Sequence, residues 1–276
     1  MQNSEPCAPF WLDKTPVMFP STHLAMRDPN GLLAIGGDLT PDWLLNAYSK
    51  GIFPWFSADD PILWWTPSPR SVLLIDQLKF RKSLRKNIQK YRQTQQLNVT
   101  LDQNFASVMQ KCATIKRHDQ GGTWITNPML NAYKTLHKEG HAHSVEVWLN
   151  HKLVGGLYGI ALGKMFFGES MFSEVTDGSK IALIALAMQL KTWGFKLIDT
   201  QVETPHLKSM GATIMSRDDF ETQLHLQSKQ TFPAQKWCLD MDWFQAAIEH
   251  AYNQKNKENK TNKPELNTGY QDPTHD

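Results

Sequence analysis

Ser144-Val145-Glu146-Val147-Trp148, Leu153-Val154-Gly155-Gly156-Leu157-Tyr158-Gly159-Ile160-Ala161 and Met165-Phe166-Phe167-Gly168-Glu169-Ser170-Met171-Phe172 are three apolar runs of strand length. Asn150-His151 and Gly163-Lys164 supply turns between them. Two short turns in succession predict an antiparallel meander, its middle strand weakened by three glycines. Downstream, Ser179 to Trp193 has helical length and ends at Gly194, and Lys196 to Val202 is a further strand. Strands, then a helix, then a strand describe an α+β sheet domain.

Upstream, Asn127-Pro128 opens a helix that Gly140 stops, and Thr40-Pro41 opens another that Gly51 closes, with Trp43, Leu44, Ala47 and Tyr48 as its apolar face. Two proline-broken aromatic loops follow, Ile52-Phe53-Pro54-Trp55-Phe56 and Leu63-Trp64-Trp65-Thr66-Pro67. From Lys79 to Arg92, Phe80, Leu84, Ile88 and Tyr91 recur at helical spacing. Lys79, Arg81, Lys82, Arg85, Lys86, Lys90 and Arg92 surround them, and the segment contains no acidic residue. Such a face creates a local positive field whatever the total charge. The polar run from Gln93 to Asn98 reads as a connection. Ser216-Arg217-Asp218-Asp219 is a capping box. From Gln254 the chain has almost no apolar residues, which predicts a disordered tail.

With 276 residues, 41% hydrophobic and 20% charged, the chain can build a sizeable core. A net charge of +2 does not by itself announce a nucleic-acid partner. Cys7, Cys112 and Cys238 form neither a disulfide framework nor a CxxC pair, which fits a reducing compartment. No basic n-region precedes an apolar run, and no apolar stretch reaches spanning length. A cytoplasmic protein with no membrane partner is expected. Ten tryptophans serve either a core or a surface for flat ligands.

The chemistry-bearing candidates lie on strands. Alternation places Glu169 on one face with Phe167 and Met171, where a carboxylate is costly unless paired or functional. Asp199 and Gln201, two apart, point to one side of their strand; polar residues so placed usually face solvent. His137, His141 and His143 form HxxxHxH, but Gly140 interrupts the helix between them, and a metal site is set aside.

Several long blocks in fixed order resemble the leucyl/phenylalanyl-tRNA–protein transferase family. They run from Pro29-Asn30-Gly31-Leu32-Leu33-Ala34-Ile35-Gly36-Gly37-Asp38-Leu39 and Tyr48-Ser49-Lys50-Gly51-Ile52-Phe53-Pro54-Trp55-Phe56 through Pro61-Ile62-Leu63-Trp64-Trp65 and Gly122-Thr123-Trp124-Ile125-Thr126. Gly140-His141-Ala142-His143-Ser144-Val145-Glu146-Val147-Trp148 and the segments of Glu169 and Asp199 complete the set, so the likeness covers about Phe19 to Leu224.

The resemblance implies a C-terminal domain similar to acetyltransferases of the GNAT type (acyl-CoA N-acyltransferase-like), preceded by a small N-terminal α/β domain. The division expected is 1–78, small domain; 79–98, basic helix and connection; 99–253, catalytic domain; 254–276, tail. It also implies transfer of leucine, phenylalanine and less readily methionine from leucyl-, phenylalanyl- or methionyl-tRNA to proteins beginning with arginine or lysine. The product then enters N-degron (N-end rule) proteolysis. An aminoacyl ester is already activated, so neither ATP nor any other cofactor is expected. Asp199 and Gln201 match positions proposed as a proton relay, and Glu169 one implicated in holding the basic acceptor or its amine. Replacing Asp199 or Gln201 is therefore expected to lower transfer far more than stability.

Tyr48, Trp55, Trp124 and Tyr133 match aromatic positions around the aminoacyl group and terminal adenosine, with Leu157 and Phe166 in the pocket. Leu157, Leu186 and Leu190 differ from the methionine and phenylalanines of some relatives, so donor preference is not inherited. Lys79, Arg81, Lys82, Arg85 and Lys86 are expected on the tRNA backbone. A monomer is expected. An acyl-CoA acetyltransferase would need a pyrophosphate loop that Phe172 to Lys180 lacks. A tRNA-binding module without chemistry leaves Glu169, Asp199 and Gln201 unexplained.

Overall fold

Asn150 and His151 both take positive φ, 47° and 64°, the geometry of a two-residue turn matched to strand twist. They join β7 (Ala142–Leu149) to β8 (Lys152–Leu162), and Gly163-Lys164 joins β8 to β9 (Met165–Ser173). The expected meander is therefore the centre of the molecule. The structure is a computed structural model that describes residues 8–114 and 125–261.

The chain starts with a four-stranded sheet, ordered β1-β2-β4-β3. Its strands are β1 (Phe10–Leu12), β2 (Leu32–Gly36), β3 (Phe53–Pro54) and β4 (Leu63–Trp65), with α1 (Pro41–Tyr48) between β2 and β3. The chain then enters β5 (Arg70–Leu74), α2 (Lys82–Thr94), β6 (Asn98–Leu101), α3 (Phe105–Thr114) and α4 (Asn127–Lys138). After the meander come α5 (Gly178–Thr192), β10 (Leu197–Gln201), α6 (Pro205–Ser209), β11 (Thr213–Met215), α7 (Arg217–Ser228) and α8 (Trp243–Thr261). The second sheet has seven strands in the order β11-β5-β10-β9-β8-β7-β6. β10 runs parallel to β9 and the other pairings are antiparallel. The architecture is α+β.

Both faces of the large sheet are covered. Val145, Val147, Leu157 and Phe166 pack with α2, α5 and α8 on one side. Tyr158, Ile160, Phe167 and Phe172 pack with α1, α3 and α4 on the other. Helix α5 is apolar almost all round and buried along nearly its whole length, as a helix wedged into a core must be. The glycines of β8 make room for neighbours. A Cβ on Gly155 would lie 2.7 Å from the backbone of Gly178 at the start of α5, so their small size sets how closely helix and sheet approach.

Two boundaries differ from the sequence reading. The basic helix starts at Lys82, with Arg81 as its N-cap, so Lys79 precedes it. Helix α8 runs through Gln254 to Thr261, and Gln254 Nε2 donates to the Asp76 carbonyl at 2.6 Å. No described helix is long and apolar enough to cross a membrane.

Candidate active site

β9 carries one residue more than β8 opposes. Tyr158 pairs with Ser170 and Gly159 with Gly168, so Glu169 is the extra residue. A bulge of this kind re-aims a side chain. It also corrects the simple alternation: Phe167 packs on the side of Tyr48 and Tyr133, but Met171 packs on the opposite face. Glu169 thus shares a face with Phe167 and not with Met171. Its carboxylate reaches helices α1 and α4. Tyr48 Oη donates to Oε1 at 2.7 Å, and Tyr133 Oη to Oε2 at 3.1 Å. The two tyrosine hydroxyls also contact each other.

β10 carries a matching irregularity. Asp199 pairs with Val72 and Gln201 with Ser71, leaving Thr200 spare. Gln201 takes φ 62°, a left-handed conformation uncommon outside glycine. From there its Nε2 donates to Glu169 Oε1 at 2.7 Å. Its backbone N–H donates to Asp199 Oδ1 at 2.9 Å. Asp199 is 0% exposed, so the solvent-facing reading of this strand does not hold. It receives two hydrogen bonds from Arg70, Nε to Oδ1 at 2.9 Å and Nη2 to Oδ2 at 2.7 Å. Arg70 is itself 1% exposed and lies 4.8 Å and 4.7 Å from the ring centres of Phe53 and Phe220. A chain of contacts therefore runs from Arg70 to Asp199, to the Gln201 backbone, to Glu169.

β9 and β10 pair only at Ile198 with Phe166 and Asp199 with Phe167. A cavity of about 480 Å³ lies beside that pairing. Leu157, Phe166, Met171, Leu183, Leu186 and Ile198 form its apolar wall, and Glu169, Ser170, Thr200 and Gln201 supply polar groups. Trp55, 37% exposed, lines it too, tilted against Trp65 with ring centres 5.5 Å apart. His206 adds an imidazole whose pKa burial lowers, helped by Lys180 and opposed by Asp177.

The carboxyl of Glu169 is enclosed by protein yet keeps a face on the cavity. Burial pushes its pKa up to about 7. The bonds from Tyr48, Tyr133 and Gln201 pull the other way, and the charge of Asp199 adds to the rise. Burial likewise raises both tyrosines well above the usual phenol value, with the Glu169 charge reinforcing it. A carboxyl poised near neutrality in a partly apolar cavity suits proton transfer.

A larger groove of about 960 Å³ lies between Asp38–Pro41, residues 58–62 and the start of α4. Its carboxylates serve loops: Asp38 accepts from the Leu39 N–H and Asp60 from the Ser57 N–H. It lacks a cluster like that around Glu169, which makes the smaller cavity the candidate site.

Glu169, Gln201, Tyr48 and Tyr133 come together, and Trp55, Leu157 and Phe166 line the adjoining cavity. Trp124 lies outside the described residues. Leu186 lines the cavity, whereas Leu190 is buried in the core. Arg70 was missed from sequence, where Pro69-Arg70 carries no sign of a partner 129 residues away. The basic residues Lys79, Arg81, Lys82, Arg85 and Lys86 are exposed. Their helix is fastened near the cavity: Asn87 Nδ2 donates to Asp177 Oδ2 at 3.1 Å, and Asp177 pairs with Lys180, the charge felt by His206. His143 does not face this site. Its Nδ1 meets Asp102 Oδ2 at 2.8 Å and its ring stacks on Trp237 at 3.6 Å. Among the described residues no three His, Cys, Asp or Glu side chains gather as metal ligands.

Residues 72–225 match the family described as Leucyl/phenylalanyl-tRNA protein transferase, and residues 37–68 match its N-terminal domain. Three relatives named leucyl/phenylalanyl-tRNA–protein transferase are similar over most of their length. That of Hydrogenovibrio crunogenus is 65% identical over 241 residues, covering 87% of this chain and 93% of the relative. That of Nitrosospira multiformis is 51% identical over 223 residues, covering 81% and 94%. That of Saccharophagus degradans is 54% identical over 223 residues, covering 81% and 89%.

Proposed function

Because this chain belongs to the leucyl/phenylalanyl-tRNA–protein transferase family and is an enzyme of that kind, we propose that it moves leucine, phenylalanine and less readily methionine from aminoacyl-tRNA to the α-amino group of proteins beginning with arginine or lysine. The product is a substrate for N-end-rule proteolysis. The observation that carries this reading is a carboxyl, Glu169, held by Tyr48, Tyr133 and Gln201 on the wall of a cavity with one apolar side.

The apolar wall suits the side chain of the donor amino acid, and Trp55 offers a flat surface to the terminal adenosine. Glu169 and Gln201 face the position the acceptor amine must take. An α-ammonium, with a pKa of about 7.7–8.0, must lose a proton before it attacks the ester. Glu169 is the group we assign to receive it, with Gln201 holding the carboxylate. Asp199 acts through Gln201: its oxygens are occupied by Arg70 and the Gln201 N–H, so it positions and does not relay the proton. We extend the same reading to a cytoplasmic monomer. Its small N-terminal α/β unit, 1–78, precedes the basic helix and connection, 79–98, and a GNAT-like catalytic unit, 99–253; the chain enters the large sheet at β5, Arg70–Leu74, before the end of the first span. The separate four-stranded sheet and the order of meander, helix and parallel strand support that division.

Incubation with leucyl-tRNA and a peptide beginning with arginine is expected to yield the peptide extended by one leucine. No extension, with folded protein and intact charged tRNA, overturns the assignment. The exposed cations of α2 are proposed to contact the tRNA backbone. Replacing Arg81, Lys82 and Arg85 by alanine is expected to lower the salt slope of tRNA binding by about two to three. An unchanged slope in a filter-binding titration removes α2 from the interface.

A further inference from the structure

Counting protons around Glu169 exposes a mismatch. Four oxygens form a closed circuit: Glu169 Oε1 to Tyr48, Tyr48 to Tyr133, Tyr133 to Glu169 Oε2. The circuit has three contacts between oxygens, and each needs one proton to be a hydrogen bond. The two phenols bring one each. An ionised Glu169 brings none, so one contact is then left as two facing oxygens, a costly arrangement in a buried site. A protonated Glu169 supplies the third proton. Glu169 then donates to Tyr133, Tyr133 to Tyr48, and Tyr48 back to Oε1, or the whole circuit runs in reverse. Gln201 Nε2 donates to Oε1 in either case.

We propose that Tyr48, Tyr133 and Glu169 act as one proton-holding ring, closed with three protons and open with two, and that the open form takes the proton of the acceptor amine. Tyr48 and Tyr133 are then parts of the proton acceptor and not an aromatic lining for the donor. Both are completely buried, and neither lines the cavity, which leaves their hydroxyls available only to one another and to Glu169. Because the circuit runs in either sense, a proton arriving at either carboxyl oxygen closes it. The raised pKa of all three members agrees with a cluster that resists losing protons.

Two further titratable groups face the ring. Tyr158, on β8, meets Tyr133 edge-to-face with ring centres 5.7 Å apart. Asp199, on β10, adds negative charge but is paired with Arg70.

The use of the ring rests on the transfer reaction proposed above. The acceptor ammonium gives one proton to the open ring and becomes a neutral amine. Its lone pair forms the C–N bond at the ester carbonyl. The C–O bond to ribose breaks with its electron pair on the ribose oxygen, which takes the second proton lost by the nitrogen. The proton on the ring leaves to solvent once the product departs.

The test uses substrate-free enzyme, so it does not depend on that reaction. The infrared carbonyl band of a protonated carboxyl, assigned by its loss in Glu169→Gln, is titrated from pH 5 to 9. Wild type, Tyr48→Phe, Tyr133→Phe and the double variant are compared, with folding checked by circular dichroism. The expected result is a protonated Glu169 band in wild type below neutrality, moved by either single substitution and no further by both. Members of one ring couple, whereas independent donors add. Transfer with either single variant should fall by about tenfold, and with the double variant by the same about tenfold, not about a hundredfold. Additive shifts overturn the ring, as does the absence of a Glu169 band. If Tyr48→Phe does not fold, Tyr133→Phe alone decides, because a band it leaves unmoved is incompatible with a carboxyl proton shared with Tyr133. A ring present in a protein that fails to extend the arginine peptide separates loss of the functional reading from loss of the ring.

Discussion

Arg70→Met is expected to cost about 3–5 kcal/mol of folding stability, measured by urea unfolding at neutral pH. The guanidinium and the Asp199 carboxylate are 1% and 0% exposed, and they meet through two hydrogen bonds of 2.9 Å and 2.7 Å. Removing the cation leaves a carboxylate in the interior, where the nearest remaining donor is the Gln201 N–H. Asp199→Asn should cost a comparable amount, since it leaves the guanidinium between Phe53 and Phe220 without its counter-charge, and Arg70 Nη1 already lacks a hydrogen-bond partner. From sequence, changes at Asp199 are expected to lower transfer far more than stability; the buried ion pair adds a large expected loss of stability. The double variant Arg70→Met/Asp199→Leu separates the two roles. Replacing both ions by apolar groups is often close to neutral for stability, so most of the loss should return. Transfer should not return with it, because the Gln201 N–H loses the acceptor that holds its left-handed backbone. Wild-type transfer in the double variant would show that the ion pair serves the fold alone.

The contrast between Asp199 and Glu169 shows where a strand reading stops. Periodicity found the meander, both of its turns and the later strand, because turn residues and apolar runs are local signals. It misplaced the neighbours of Glu169, because an inserted residue shifts every later side chain to the other face. Nothing in Gly168-Glu169-Ser170 marks which strand carries the extra residue. The register shift falls beside Gly159, where a Cβ would lie 2.2 Å from the Phe167 carbonyl oxygen. Likewise Asp199 looked like a surface carboxylate until Arg70 arrived from β5. The family resemblance supplied Glu169, Gln201, Tyr48 and Tyr133 as important positions. It did not supply their wiring, since hydrogen bonds spanning 85 and 121 residues leave no trace in spacing. Arg70 also falls between the two matched spans, 37–68 and 72–225.

Glu169→Gln should make the protein more stable in alkaline solution while disabling it. Burial raises the Glu169 pKa from an ordinary 4.5 to about 7. The folded state therefore binds the proton more tightly than the unfolded chain. Its contribution to stability is fully present below about pH 4.5, fades as pH rises, and is lost above about 7. At 1.36 kcal/mol per pKa unit, wild type should lose up to about 3 kcal/mol across that window through this group. A glutamine at 169 resembles the protonated acid: its oxygen accepts from Tyr48 and Gln201, and its amide donates to Tyr133. The variant should escape the loss. Comparing urea midpoints of the two proteins at pH 5 and pH 8.5 isolates the effect, because the other titrating groups are common to both. The stability difference should swing toward the variant by up to about 3 kcal/mol on going from pH 5 to 8.5. Transfer should meanwhile fall by about a hundredfold or more, the usual worth of a positioned proton acceptor. A parallel pH dependence in the two proteins would mean that Glu169 titrates like a solvated carboxylate. The buried proton would then have to be sought elsewhere in the cavity.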